Sequence, residues 1–327
     1  MAFKAILGQE RLIESLKGAL NRQQLTHAYL IEGQRGLGKA RIAHELAKAI
    51  CCRAEGRKPC NQCNSCRKAE HQSHPEIKWL QEEGSIKIEA IRELQKNFQM
   101  KPYEGTKKVW IISDAGKMTT QAQNALLKTL EEPPQHGTIL LITTNGNSLL
   151  PTITSRCQRL KLLSVALEKI QSYLMEEKNV DEKEAKVLAA FSNGVIGKAL
   201  QLLEDEEFKE RRQRIMVITR DIVDKKTIYL LENLEYFNEE KTNIEEILEI
   251  MTGWYRDLLI YKDTQKKDLV INIDALEEIS YQTSKLTLKN IKEMLFIIES
   301  TKSNLKSNAN FQMTIEVMLL DLKQKTQ

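Results

Sequence analysis

The segment Gly33-Gln34-Arg35-Gly36-Leu37-Gly38-Lys39 constrains this chain more than any other part of it. It follows the apolar run Ala28 to Ile31 and precedes the helical pattern Ile42, Leu46, Ala49, Ile50. That is the strand, loop and helix context a phosphate loop requires. Glycines there let backbone N–H groups converge on phosphate oxygens at a helix N-terminus, and Lys39 is placed to reach the β and γ phosphates. The motif predicts an α/β layer and nominates Gly33, Gly36, Gly38 and Lys39 as nucleotide-binding residues.

The surrounding sequence agrees. Short apolar runs at Ala28 to Ile31, Ile77 to Leu80, Val109 to Ser113 and Ile139 to Thr143 read as strands. Between them, Ile91, Leu94 and Phe98 recur at helical spacing, as do Ala122, Ala125, Leu126 and Leu130. Thr120 and Gln123 are spaced as a capping box for the second of these helices, and Pro133-Pro134 stops it after Glu131 and Glu132. After about Leu163 the alternation gives way to helical periodicity alone, as in Phe311, Ile315, Met318, Leu319 and Leu322. A break at Ser192-Asn193-Gly194 and an acidic stretch at Glu204 to Glu207 divide that half into a small helical unit and a larger one. A length of 327 residues accommodates such a division into two or three domains. Only 14 Gly and 6 Pro, with 29% charged residues, exclude collagen-like and disordered chains. No run approaches the 18 or so apolar residues of a membrane span, and Met1 to Leu7 lacks the core of a secretory signal, so a cytoplasmic protein without membrane partners is expected.

Two positions speak against turnover. Ala40 stands where a working phosphate loop carries a Ser or Thr hydroxyl on Mg²⁺. Asp114 follows the strand ending at Ser113, with Ala115 where a second carboxylate would orient the attacking water. Asp114 joins the nucleotide-site candidates, and bound ATP or ADP is compatible with this loop while efficient hydrolysis is not.

Cys51, Cys60, Cys63 and Cys66 read C-x8-C-x2-C-x2-C, and in a reducing compartment such spacing points to a metal before a disulfide. Four thiolates close a tetrahedron around Zn²⁺ and leave no open position, so the ion is expected to be structural. Cys52 is the alternative first ligand. An iron–sulfur cluster is disfavoured because no cysteine followed by Pro comes soon after Cys66. His71 and His74 read as surface residues.

Charge is uneven. Met1 to Lys161 carries 25 Lys and Arg against 15 Asp and Glu, while the remainder carries 24 against 30, so the first part suits nucleic acid or acidic partners. Near its end stands Ser155-Arg156-Cys157, whose arginine chemistry alone does not distinguish from a surface ion pair.

Together, Gly8-Gln9, His27-Ala28-Tyr29-Leu30, the phosphate loop, the cysteine insert, the run Asn124 to Pro134 and Ser155-Arg156-Cys157 resemble the AAA+ subunits of bacterial sliding-clamp loaders. The likeness is close over the first 160 or so residues and in outline beyond. It implies an AAA+ P-loop domain at 1–162 with a zinc-binding insert at 51–66, a helical lid at 163–208, and an all-α oligomerisation collar at 209–327. Within that family the residues resemble the delta-prime type more than the gamma/tau motor type, because of Ala40 and Ala115 and because Lys198 stands where motors carry a lid arginine. The resemblance further implies that Arg156 is a finger given in trans to a neighbouring motor subunit's ATP, in a complex with gamma/tau and delta that places the sliding clamp on primed DNA. Thr143, Thr144 and Asn145 resemble a sensor of the γ-phosphate. The competing readings are an ATP-hydrolysing motor subunit and a zinc-dependent DNA-binding module.

Overall fold

A computed structural model describes residue 3 and residues 6–225, 230 and 232–326. Five strands, β1 (Ala28–Glu32), β2 (Ile77–Leu80), β3 (Lys108–Ile112), β4 (Gly137–Thr143) and β5 (Gln158–Lys161), form one all-parallel sheet in the order β2-β3-β4-β1-β5. Alternation along the strands builds two cores, one on each face. Tyr29, Ile31, Val109, Ile111, Leu140 and Ile142 point to one, with Ile42 and Leu46 of α2 (Lys39–Cys51) packed over them; α1 (Glu10–Asn21) adds Leu16. Ala28, Leu30, Trp110, Ile112, Ile139 and Leu141 point to the other. Each large side chain so buried contributes about 1.5–3 kcal/mol.

The second face is covered by two helices. After α3 (Asn64–Glu70), α4 (Ile88–Gln99) buries Ile91, Leu94 and Phe98, and α5 (Thr120–Glu131) buries Ala122, Leu126 and Leu130. The cap of α5 lies one residue earlier than expected: the Thr119 side chain accepts the Ala122 N–H, and Gln123 instead turns inward, its Oε1 accepting the Leu150 N–H at 2.8 Å. A short helix α6 (Pro151–Thr154) precedes β5.

The described chain divides into two compact units, Met1–Ile170 with Ser192–Ala199, and Gln171–Phe191 with Leu200–Gln327. The stretch expected as a lid, 163–208, contains helices α7 (Leu167–Lys178), α8 (Glu182–Phe191) and α9 (Ile196–Glu204), and is shared between the two units. In the first unit, the Gln9 amide both accepts from Leu163 N–H at 3.3 Å and donates to Leu163 O at 2.7 Å, fixing the chain as it leaves β5. Gly8 sits beside it with φ 75°, where a Cβ would come within 2.7 Å of Val165.

The second unit is helical throughout its described residues, continuing with α10 (Glu206–Asp224), α11 (Asn233–Glu239), α12 (Ile244–Thr264), α13 (Leu276–Lys285), α14 (Leu288–Lys306) and α15 (Phe311–Gln324). Helix α12 packs against α13 and α14, and α14 against α15. Its buried Asp257 carboxylate accepts the Ile271 and Asn272 N–H groups at 3.0 and 2.7 Å, which ties the following loop to the helix. Among the described residues no helix is long and apolar enough to cross a membrane.

Candidate functional site

The phosphate loop opens on a cleft of about 810 Å³. Gly36 and Gly38 hold φ of 87° and 86°, a region open to glycine at no steric cost. At Gly36 the approach is also close: a Cβ would meet Val195 at 2.7 Å, and the Gly197 N–H donates to the Gly36 carbonyl at 2.9 Å. Lys39, 8% exposed, folds back so that Nζ donates to the carbonyls of Gly33 and Gln34 at 2.6 and 2.7 Å. Burial pulls its pKa below the ordinary lysine value, with the Asp114 carboxylate acting the other way. Gly36, Gly38, Lys39 and Asp114 line the cleft as the sequence predicts, whereas Gly33 lies behind it, its N–H on the Thr143 carbonyl at 3.3 Å.

The acidic position needs correction. Strand β3 ends at Ile112, one residue early, so Ser113 and Asp114 face the cleft together. Ala115 is fully buried in the core beside Ile112 and Met118, and no side chain there reaches the phosphate loop. The place that lacks a carboxylate is therefore Ser113. Asp114 takes a left-handed conformation, φ 47°, and pairs with Lys117 at 3.5 Å. A Mg²⁺ held as in working phosphate loops needs a hydroxyl from the helix start and a strand-end carboxylate. Ala40 offers a methyl group and Ser113 a neutral hydroxyl, so the donor set does not fit the ion. Of the sensor candidates, Thr143 and Asn145 bond within their own loop: Thr143 Oγ1 donates to the Asn145 carbonyl and Asn145 Oδ1 accepts from Asn147, which leaves Thr144 exposed at the cleft.

The cysteine insert also differs in one member from the expected set. The thiols brought together are Cys52, Cys60, Cys63 and Cys66, all four sulfurs lying within 4.8 Å of one another. Cys52 to Cys63 spans 4.0 Å and Cys60 to Cys66 3.9 Å. A tetrahedral Zn–S₄ site with bonds of about 2.3 Å has edges of about 3.8 Å, so the residues fit zinc. Cys51 is the last residue of α2 and points into the core with Ile77 and Val109, its thiol directed at the Lys107 carbonyl at 3.8 Å. Burial pushes that thiol up to about 12, and it is its direction, away from the other three sulfurs, that sets it apart from the cluster. Cys52, in extended conformation beyond the helix end, turns the other way.

Backbone N–H groups of Cys63 and Cys66 donate to the sulfurs of Cys60 and Cys63 at 3.3 and 3.4 Å. At Cys63 burial acts to raise the pKa, but the backbone N–H groups of Cys66 and Arg53 outweigh it and bring the thiol down to about 6, while burial raises the thiols of Cys52 and Cys66. The base of the insert is fixed by His74, which is buried, 4% exposed, against the expectation of a surface residue. His74 Nδ1 accepts the Glu76 N–H at 3.1 Å, so its proton sits on Nε2, 2.9 Å from Ser65 Oγ, which in turn donates to the Cys51 carbonyl at 2.6 Å. A second group, His44, Glu45 and Glu70, has the Lys48 ammonium among its carboxylates, 3.6 Å from Glu45 and bonded to Glu70, which offsets one of the two negative charges.

Arg156 lies between α6 and β5 and is not among the residues lining the cleft. Its NH2 is 2.7 Å from Glu131 at the end of α5 and its NH1 donates to the Thr152 carbonyl at 3.0 Å. The adjacent Cys157 is buried in the core, its thiol pushed up to about 12 by burial, so the backbone here alternates an anchored sulfur with an outward guanidinium. Sequence reasoning missed Glu131 as the partner of Arg156; its position beside the helix-ending prolines was the available signal.

Residues 8–166 match a family model described as DNA polymerase III, delta subunit, and residues 205–324 one described as DNA polymerase III, delta subunit, C terminal. The chain is 33% identical over 97% of its length to DNA polymerase III subunit delta' of Bacillus subtilis (strain 168), covering 96% of that protein. It belongs to the delta-prime family of DNA polymerase III clamp-loader subunits. This delta-prime chain is also 26% identical to the tau subunit of the same organism, over 98% of its own length but only 61% of tau. Among solved structures it resembles a DNA polymerase III gamma subunit-related protein of Thermotoga maritima, at 19% identity and a TM-score of 0.39, with 97% of this chain and 100% of that one covered.

Proposed function

We propose that this chain is the stator of its clamp loader: it turns over no ATP itself and lends Arg156 to the nucleotide of a neighbouring gamma/tau motor subunit. The placement of Arg156 carries the reading, since it lies outside this chain's own cleft on an exposed corner, held by Glu131 and Thr152. A guanidinium delivered across an interface neutralises charge on the transferring phosphoryl and is worth about 10³–10⁵ in rate. The cleft, with Ala40 and Ser113 in place of ion-holding groups, binds nucleotide rather than hydrolysing it. Zinc on Cys52, Cys60, Cys63 and Cys66 is structural, clipping the insert between α2 and α3.

In this reading 1–162 is the AAA+ domain, 163–208 the lid and 209–327 the collar that joins the other subunits, gamma/tau and delta. The assembly, cytoplasmic with the DNA it serves, closes the sliding clamp on primed DNA. The test is a loader reconstituted with Arg156→Ala. ATP hydrolysis at the adjoining motor site is expected to fall by at least a thousandfold, the lower end of the range lost with such fingers, about 10³–10⁵. Normal hydrolysis at every site of that complex refutes the finger.

A further inference from the structure

The cleft keeps the groups that grip phosphate and has lost those that grip its ion. On the first side are the N–H groups of a loop whose Gly36 and Gly38 are left-handed, at the start of a 13-residue helix, and a Lys39 whose Nζ already lies inside the loop. On the second side are Ala40 and Ser113. The remaining charges point the same way: Arg35, Lys39 and Lys117 line the cleft against the single carboxylate of Asp114. Such a wall suits a polyanion carrying its full charge better than one half-neutralised by a divalent cation.

We propose that this cleft takes a nucleoside di- or triphosphate as the bare polyanion, with no requirement for Mg²⁺. The inference rests on the cleft being a nucleotide site, and it goes further in two ways. Without an ion bridging the β and γ phosphates, the γ-phosphate gains little beyond Lys39, so ATP and ADP bind with similar affinity. The chain is then a nucleotide holder indifferent to the state that drives its neighbours.

The test is isothermal titration calorimetry of ATP and of ADP into the full chain, freed of nucleotide, in resin-stripped buffer with and without Mg²⁺. A soluble chelator is avoided because it would compete with the cysteine cluster. For either nucleotide, affinities with and without Mg²⁺ should agree within about threefold, about half on the free-energy scale of the tenfold that would overturn the proposal. Lys39→Ala should abolish binding in both buffers. Ala40→Thr combined with Ser113→Asp should install a Mg²⁺ preference of at least tenfold for ATP; the wild-type titrations decide the matter alone if that variant does not fold. Tightening of wild-type binding by Mg²⁺ of tenfold or more, no binding in either buffer, or undiminished binding by Lys39→Ala overturns the proposal. Absence of binding in both buffers overturns the nucleotide-site reading as well, whereas tightening by Mg²⁺ overturns this proposal alone, and neither result bears on Arg156.

Discussion

Exchanging serine for Cys51 and for Cys52, one at a time, separates the two neighbouring thiols that the sequence leaves equivalent. From 53 to 64 the insert buries little beyond Pro59. Apolar burial there is too small to hold the loop, which in the zinc-site reading proposed above is the role of the ion. Zinc present at about a thousand times its dissociation constant stabilises the folded state by about 4 kcal/mol. For a unit of this size, about 2–4 °C of melting temperature accompanies each kcal/mol, so Cys52→Ser should lose close to one zinc per chain and melt about 10 °C lower. Cys51→Ser should keep its zinc. It places a hydroxyl in an apolar core at a cost of about 1–3 kcal/mol, relieved in part because the Lys107 carbonyl lies 3.8 Å from the present sulfur. Elemental analysis of zinc per chain and a thermal melt read both effects. If Cys51→Ser loses the metal while Cys52→Ser retains it, the geometric assignment is wrong.

Other consequences follow from the same contacts. Burial holds the His74 pKa below its ordinary 6.5, so as pH falls the unfolded chain takes up the proton first. The stability this confers is present above about pH 6.5 and is lost as pH drops through the lower folded value, so the urea midpoint should decline from about pH 7 to about pH 5, less steeply in His74→Gln. Asp257→Ala leaves the Ile271 and Asn272 N–H groups without their acceptor and should cost about 3–5 kcal/mol in denaturant melts. Gly36→Ala forces a side chain into φ 87° and into Val195, and should lower stability by about 1–3 kcal/mol. Glu131→Ala breaks an exposed ion pair with Arg156 and should change stability by no more than about 1 kcal/mol in the same assay.

The two-sided sheet was legible because its strands are short apolar runs separated by amphipathic helices, a pattern fixed by burial on both faces. Strand β5, Gln158–Lys161, escaped because it is an edge strand with only Leu160 buried, and its polar side chains carry no run. The phosphate loop was legible at Gly36 and Gly38, though not at Gly33, which lies behind the cleft. The neighbouring acidic position was misread by one residue: which side chain faces the cleft depends on where β3 ends, and that is set by pairing with β2, where Ile112 meets Leu80. Cys51 and Cys52 are likewise one residue apart, and only the end of α2 decides which sulfur turns outward. His74 reads as a polar residue beside cysteines, and its burial comes from Ser65 and Glu76, two partners brought to it by the fold.

These misreadings share a cause that bears on how a degenerate phosphate loop persists. A residue's chemistry is local, but the direction in which it acts is settled by tertiary contacts one step away. Lys39 illustrates the point from the other side. Its ammonium holds the Gly33 and Gln34 carbonyls, and Gly36 accepts the Gly197 N–H across a gap that admits no side chain. The glycines and the lysine therefore have work within the fold that does not depend on hydrolysis, whereas the hydroxyl missing at position 40 and the carboxylate missing at 113 have none. A change at the second pair leaves the first undisturbed, so the loop keeps its shape without them.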